Sequence, residues 1–135
     1  MEAIIAAASP PVGVLFNVLE YDEDALGWMV PRIEHYVALL RKRYPELSIV
    51  IVSHGDEMFA LQSSEEAQYG DVHQRVRRLA EELDVTFHVC GTYARVNGVD
   101  ASEFPQYIDV VPLATTQISD YRELGYRVVT TELSW

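Results

Sequence analysis

The sequence predicts an α/β fold, a parallel sheet with helices packed on both of its faces. Three observations carry this expectation. From residue 12 onward, short apolar runs alternate with amphipathic stretches at helical spacing. Two of the runs, VGVLFNVL at residues 12–19 and LSIVIVS at residues 47–53, are apolar almost throughout, the pattern of strands buried on both faces. Finally, 135 residues with 49% hydrophobic and 23% charged content suit one domain, spanning 1–135, that buries a real core without staples.

The elements follow in order. Residues 1–11 read as an irregular N-terminal segment; the apolar stretch within it is short and lacks the basic flank of a signal peptide. The strand at 12–19 leads through the polar loop Tyr21-Asp22-Glu23-Asp24 into a helix over 25–43, with Ile33, Tyr36, Val37 and Leu40 at helical spacing. Pro31 suits a first turn, so the regular part of that helix is expected to start there. After the strand at 47–53 comes a long connection, 54–70, with room for a helical turn around 57–62. Asp71 reads as the N-cap of the next helix, whose apolar stripe is Val72, Val76, Leu79, Ala80 and Leu83. The third strand is VTFHVC at 85–90, followed by a short helix that Gly98 closes. A fourth strand at 107–111 stops at Pro112. A helix at 115–124, with Ile118, Tyr121 and Leu124 inward and Gly125 as terminator, leads to a last strand at 126–131.

Ten basic against 21 acidic residues give a formal charge of −11. That balance argues against nucleic acid and anionic membranes, which are bound by basic residues; it leaves solubility alone, or a basic partner, as its meaning. One cysteine cannot form an intrachain disulfide, and no run approaches the length of a membrane span. A cytoplasmic location is the default expectation.

In a parallel α/β sheet, chemistry gathers at the carboxyl ends of the strands. Cys90 ends the third strand, and Gly91-Thr92-Tyr93 open the helix behind it. A thiol there meets unpaired N–H groups and the positive end of the helix dipole, which favour thiolate. Gly91 permits close approach of the backbone to a bound group. The plainer reading is a packed cysteine acting as a small hydrophobe. His54, in His54-Gly55-Asp56-Glu57, occupies the same edge; if the second and third strands are neighbours, it is placed to share a proton with Cys90. Its plainer reading is a solvated loop histidine. His88 shares the side of the strand that carries Cys90 and reads as packed, whereas His35 and His73 read as surface residues. Arg95, a turn past Cys90, is either an anchor for an anion or merely solvated. No histidine has metal-ligand spacing, and no G-x-G-x-x-G, P-loop or nucleophile elbow is present, so neither metal nor cofactor is expected.

Three segments together resemble the DsrE/DsrF-like sulfur-relay family: IVIVSHG at 49–55, VTFHVCGTYARVNGV at 85–99, and VVP at 110–112 continuing to QISDYRELGY at 117–126. The resemblance implies a three-layer α/β/α fold with a five-stranded, mostly parallel sheet, and assembly into dimers, trimers or hexamers. It also implies that Cys90 accepts a persulfide and passes it on, between a sulfur-donor and an acceptor protein. Gly91 and Thr92 would then hold the thiolate, with His54 as proton partner and Gly55 and Arg95 nearby in the binding site. Two other readings stay open: a non-catalytic oligomeric scaffold with Cys90 packed, and a small-molecule-binding protein that uses the same edge as a pocket. Trp28, Tyr69, Tyr107 and Trp135 are candidates for a subunit interface.

Overall fold

The computed structural model describes residues 1–130; Trp135 and the end of the last predicted strand lie outside them. The strands are β1 (Gly13–Val18), β2 (Ser48–Ser53), β3 (Val85–Cys90), β4 (Asp109–Val111) and β5 (Arg127–Thr130). The helices are α1 (Glu2–Ala6), α2 (Leu26–Arg43), α3 (Gly70–Glu81), α4 (Gly91–Val96) and α5 (Ala114–Glu123). All five strands pair in parallel in the order β4-β3-β2-β1-β5.

This order fixes the layers. The chain steps from β1 to β2 to β3 to β4 in one direction across the sheet, then returns past all of them to β5. Parallel crossovers are right-handed, so α2 and α3 cover one face and α5 covers the other. The central strands are apolar on both sides because both faces are covered: Val14, Leu15 and Phe16 of β1 and Ile49, Ile51 and Val52 of β2 are sealed from solvent. Ile33, Val37 and Leu40 of α2 and Val72, Val76 and Leu79 of α3 complete that core.

Several expectations are corrected. Residues 1–11 are not wholly irregular: Ile4 of α1 is buried, and Tyr44 Oη donates to the carbonyls of Ile4 and Ala7 at 3.1 and 2.7 Å, which holds the segment down. Helix α2 begins at Leu26 rather than Pro31. Pro31 offers no N–H to the carbonyl of Gly27, but Gly27 lies on the exposed side, so that carbonyl is not an orphan in the core. Tyr69, not Asp71, precedes α3; Asp71 sits in its first turn and pairs with Arg75 one turn on. Leu124 is exposed rather than inward, since it follows the last turn of α5. His73 is buried, with Nε2 2.7 Å from the carbonyl of Ala60. The 54–70 connection folds as 3-10 turns at Asp56–Leu61 and Ser63–Glu65, and Met58, Ala60 and Leu61 are core residues. No helix among the described residues is long and apolar enough to cross a membrane.

Candidate functional site at the carboxyl edge of the sheet

The connection after β3 leaves on the α2 and α3 face, and the one after β4 leaves on the opposite face. Such a reversal between neighbouring strands opens a crevice beyond their carboxyl ends. Cys90, the last residue of β3, stands at that point.

Its sulfur receives two backbone N–H groups. Cys90 is the N-cap of α4, and Tyr93 N donates to Sγ at 3.5 Å. Ala114 N, the first residue of α5, donates to the same sulfur at 3.4 Å. Both donors belong to first turns, where N–H groups have no partner within their own helix. The thiol is 4% exposed and forms no disulfide.

The donors are not those expected from sequence. Thr92 gives both its N–H and its hydroxyl to the carbonyl of Pro112, at 3.1 and 2.6 Å. That double bond ties the start of α4 to the turn before α5 and so brings the second donor to the sulfur. Gly91 is needed for a close approach, but to its own chain: a Cβ there would lie 2.9 Å from the carbonyl oxygen of Val111. Arg95 is exposed at the last turn of α4 and has no charged partner among the described residues.

His54 comes to the same place from β2. Ser53 pairs with Val89, so one step further His54 lies alongside Cys90, and its N–H continues the ladder to Val18 O at 3.0 Å. The hydrogen-bond partner of its ring is not Cys90 but Asn17 of β1, with Nε2 2.7 Å from Oδ1. Burial pushes the His54 imidazole below its ordinary range, so it is neutral at pH 7. Sequence reading passed over Asn17; the signal was a polar residue inside an otherwise apolar strand.

Gly55 and Glu57 build the floor. Glu57 is fully buried; its Oε2 accepts from Ser53 Oγ at 2.6 Å and Gly55 N at 2.9 Å, and its Oε1 from Glu20 N at 2.7 Å. Burial raises the pKa of this carboxyl even though its hydrogen bonds act to lower it. Gly55 permits this packing: a Cβ would sit 2.2 Å from Glu20 O. Asp56 accepts a hydrogen bond from Tyr93 Oη, and the Tyr93 ring lies 5.6 Å from that of Phe59. Beside them runs an open groove of about 470 Å³ with Glu23, Asp56, Phe59 and Asn97 in its lining; Cys90 does not line it. Burial, then the charges of Glu65, Asp24 and Asp56, raise the Glu23 carboxyl, so this rim is strongly acidic.

His88, on the Cys90 side of β3, is packed as expected. Its Nε2 is 2.8 Å from Tyr121 Oη of α5 and its Nδ1 is 2.8 Å from Asp109 of β4. Among the described residues, no group of three or more His, Cys, Asp or Glu is arranged to hold a metal ion.

The DsrE/DsrF-like family model matches residues 24–131, from the start of α2 past β5, and so contains this edge except for Asn17, Val18, Glu20 and Glu23. The chain belongs to the DsrE/DsrF-like family. Solved structures agree with that membership at the level of the fold. MTH1491 from Methanobacterium thermoautotrophicum, described as a protein of unknown function, superposes with a TM-score of 0.68 at 20% identity, covering 87% of this chain and 97% of its own. The ychN protein from E. coli gives 0.65 at 13% identity, with 88% and 98% covered. BT1422 from Bacteroides thetaiotaomicron gives 0.54 at 16%, with 87% and 94% covered. No curated protein matches the chain. Membership in this family implicates sulfur relay in general terms.

Proposed function

We propose that this DsrE/DsrF-like chain is a sulfurtransferase-type subunit that accepts a persulfide sulfur at Cys90 and hands it on. The observation that carries the reading is the pair of N–H groups, from two helices, that meet on the Cys90 sulfur. Donors fixed in place before reaction hold negative charge at no cost in reorganisation. The Cys90 thiolate attacks the terminal sulfur of a donor persulfide, R–S–SH. A new S–S bond forms as the donor's breaks, leaving Cys90–S–SH and the donor thiolate R–S⁻. No outside oxidant is needed, because the sulfane sulfur arrives already oxidised. His54 takes the thiol proton beforehand and returns it to the departing thiolate.

The acidic rim formed by Glu23, Asp24, Asp56 and Glu65 favours delivery by a protein with a basic surface over free polysulfide anions. The net charge of −11 points the same way. A homo-oligomer, in the cytoplasm, is the family-based expectation. Trp28 at 51% exposure is an anchor available for such an interface, whereas Tyr69 and Tyr107 are half-buried and hydrogen-bonded to Asp24 and His73.

The test is the intact mass after incubation with polysulfide or a persulfide donor. A gain of one sulfur atom in the native chain, absent from Cys90→Ser, is expected. The 4% exposure of Cys90 favours a second reading, a non-catalytic oligomeric scaffold or small-molecule-binding protein with a packed thiol. No sulfur gain, together with a thiol in the folded protein inert to alkylation, would establish that reading instead.

A further inference from the structure

We propose that Asn17 is a positioning residue that holds His54 as the proton acceptor for Cys90. The inference rests on the carrier reading for its purpose, while its geometry stands apart from it. Asn17 is the one polar side chain in the strand GVLFNV, whose other residues are all buried. Such a position is unfavourable for an amide unless a partner uses it. Its partner is the His54 ring, 2.7 Å away.

The sheet register brings the three residues onto one face. Asn17 pairs with Val52, and Val52 with His88. Two residues further along each strand come His54 and Cys90, on the same side as Val52 and His88 because side chains alternate. That is the face α5 crosses, since Ala114 of α5 donates to Cys90 and Tyr121 of α5 bonds His88.

The amide oxygen decides the tautomer. An oxygen can only accept, so Nε2 carries the hydrogen, and a neutral imidazole has just one. Nδ1 is left with its lone pair and has no hydrogen-bond partner among the described residues. The proton of the Cys90 thiol moves to Nδ1, giving a thiolate and an imidazolium whose Nε2–H stays on Asn17. The leaving donor thiolate then takes the proton back. The register places Cys90 of β3 beside His54, and the turn that follows it carries Asp56, which Tyr93 Oη already engages, and Glu57. The carboxylate oxygens of Glu57 are already occupied by Ser53, Gly55 and Glu20. Burial alone shifts His54.

Two measurements test this. The first needs no substitution: ¹⁵N NMR of histidine-labelled native protein at neutral pH. The Nε2–H tautomer at His54 is expected, and an Nδ1–H signature would overturn the proposal. The second is the rate of Cys90 alkylation by iodoacetamide against pH, with native-like CD confirming the fold of each variant. Asn17→Ala is expected to slow it about tenfold at neutral pH, approaching the loss in His54→Ala, with the double variant no slower. Asn17→Asp is expected to raise the His54 titration in the NMR series and move the alkylation profile with it. An unchanged rate and profile in Asn17→Ala, beside a slowed His54→Ala, would overturn the proposal. Failure of the carrier reading looks different: Cys90 takes up no sulfur while the His54 tautomer stays as assigned.

Discussion

Glu57 shows how much of this site depends on one carboxyl group. It is fully buried and gathers Ser53, Gly55 and Glu20, from the ends of two strands, around its two oxygens. An amide in its place points N–H groups at backbone N–H groups and leaves at least one donor orphaned. Glu57→Gln should therefore cost about 1–3 kcal/mol, and Glu57→Ala about 3–5 kcal/mol because a cavity is added. Urea midpoints of the variants measure both. The pH dependence has a definite sign. With the folded value raised above 4.5, the contribution of Glu57 is complete below 4.5 and is lost as pH rises through the folded value. Glu57→Gln should remove that slope.

Among the elements, the end of α2 is tied to its neighbours by a single side chain. Arg41 Nε donates to Leu47 O at 2.9 Å, and its two terminal nitrogens reach Leu83 O and Asp84 O at 2.6 and 3.1 Å. It joins the approaches to β2 and β3 across the amino edge, opposite the site. Arg41→Ala should cost about 1–3 kcal/mol, since bonds to a charged donor are the stronger kind. The surface pair of Arg77 with Glu81, each largely exposed and screened by solvent, should contribute far less. Paired thermal melts of Arg41→Ala and Arg77→Ala would show the contrast.

The same elements show what was legible in the sequence and why. The strands and the placing of Cys90 at the end of β3 could be read because continuous apolar runs have few alternatives in a small α/β chain. Glu57 could not, since an acidic residue in a loop reads as solvated until its three partners are in place. The donors to Cys90 were misassigned to Gly91 and Thr92 because local spacing shows the near helix only. Ala114 comes from 24 residues away, and Thr92 is diverted to Pro112. Asn17 was hidden for a similar reason: its partner lies 37 positions on.

For the molecule as a whole, charge and burial pull on stability together. At −11 the folded chain repels itself, and its surface ion pairs are too weak to offset this. Added salt should raise the melting temperature, because the Debye length falls from about 10 Å at 0.1 M to about 3 Å at 1 M and screens repulsion over the whole surface. A fall in melting temperature would mean that the Arg75, Arg78 and Glu34 cluster between α2 and α3 outweighs the net charge. The acid side has its own slope. Burial lowers His54 and His88 from 6.5, so their contributions are complete above 6.5 and are lost as pH falls through the folded values. Glu57 acts in the opposite sense, so the two slopes oppose each other, and urea unfolding of Glu57→Gln across the pH range should leave only the histidine slope.

The two N–H groups on Cys90 are separated in time as well as in sequence. Tyr93 is three residues from the sulfur and is in place once the first turn of α4 forms. Ala114 can reach it only once β4 is laid down and α5 lies back across the sheet, a closure over 24 residues that should come later than the local turn. Until then the thiol stands half-dressed at the end of β3. A pulse of alkylating agent during refolding would label it throughout that interval, so the moment at which Cys90 becomes protected dates the docking of α5, separately from the assembly of the central strands.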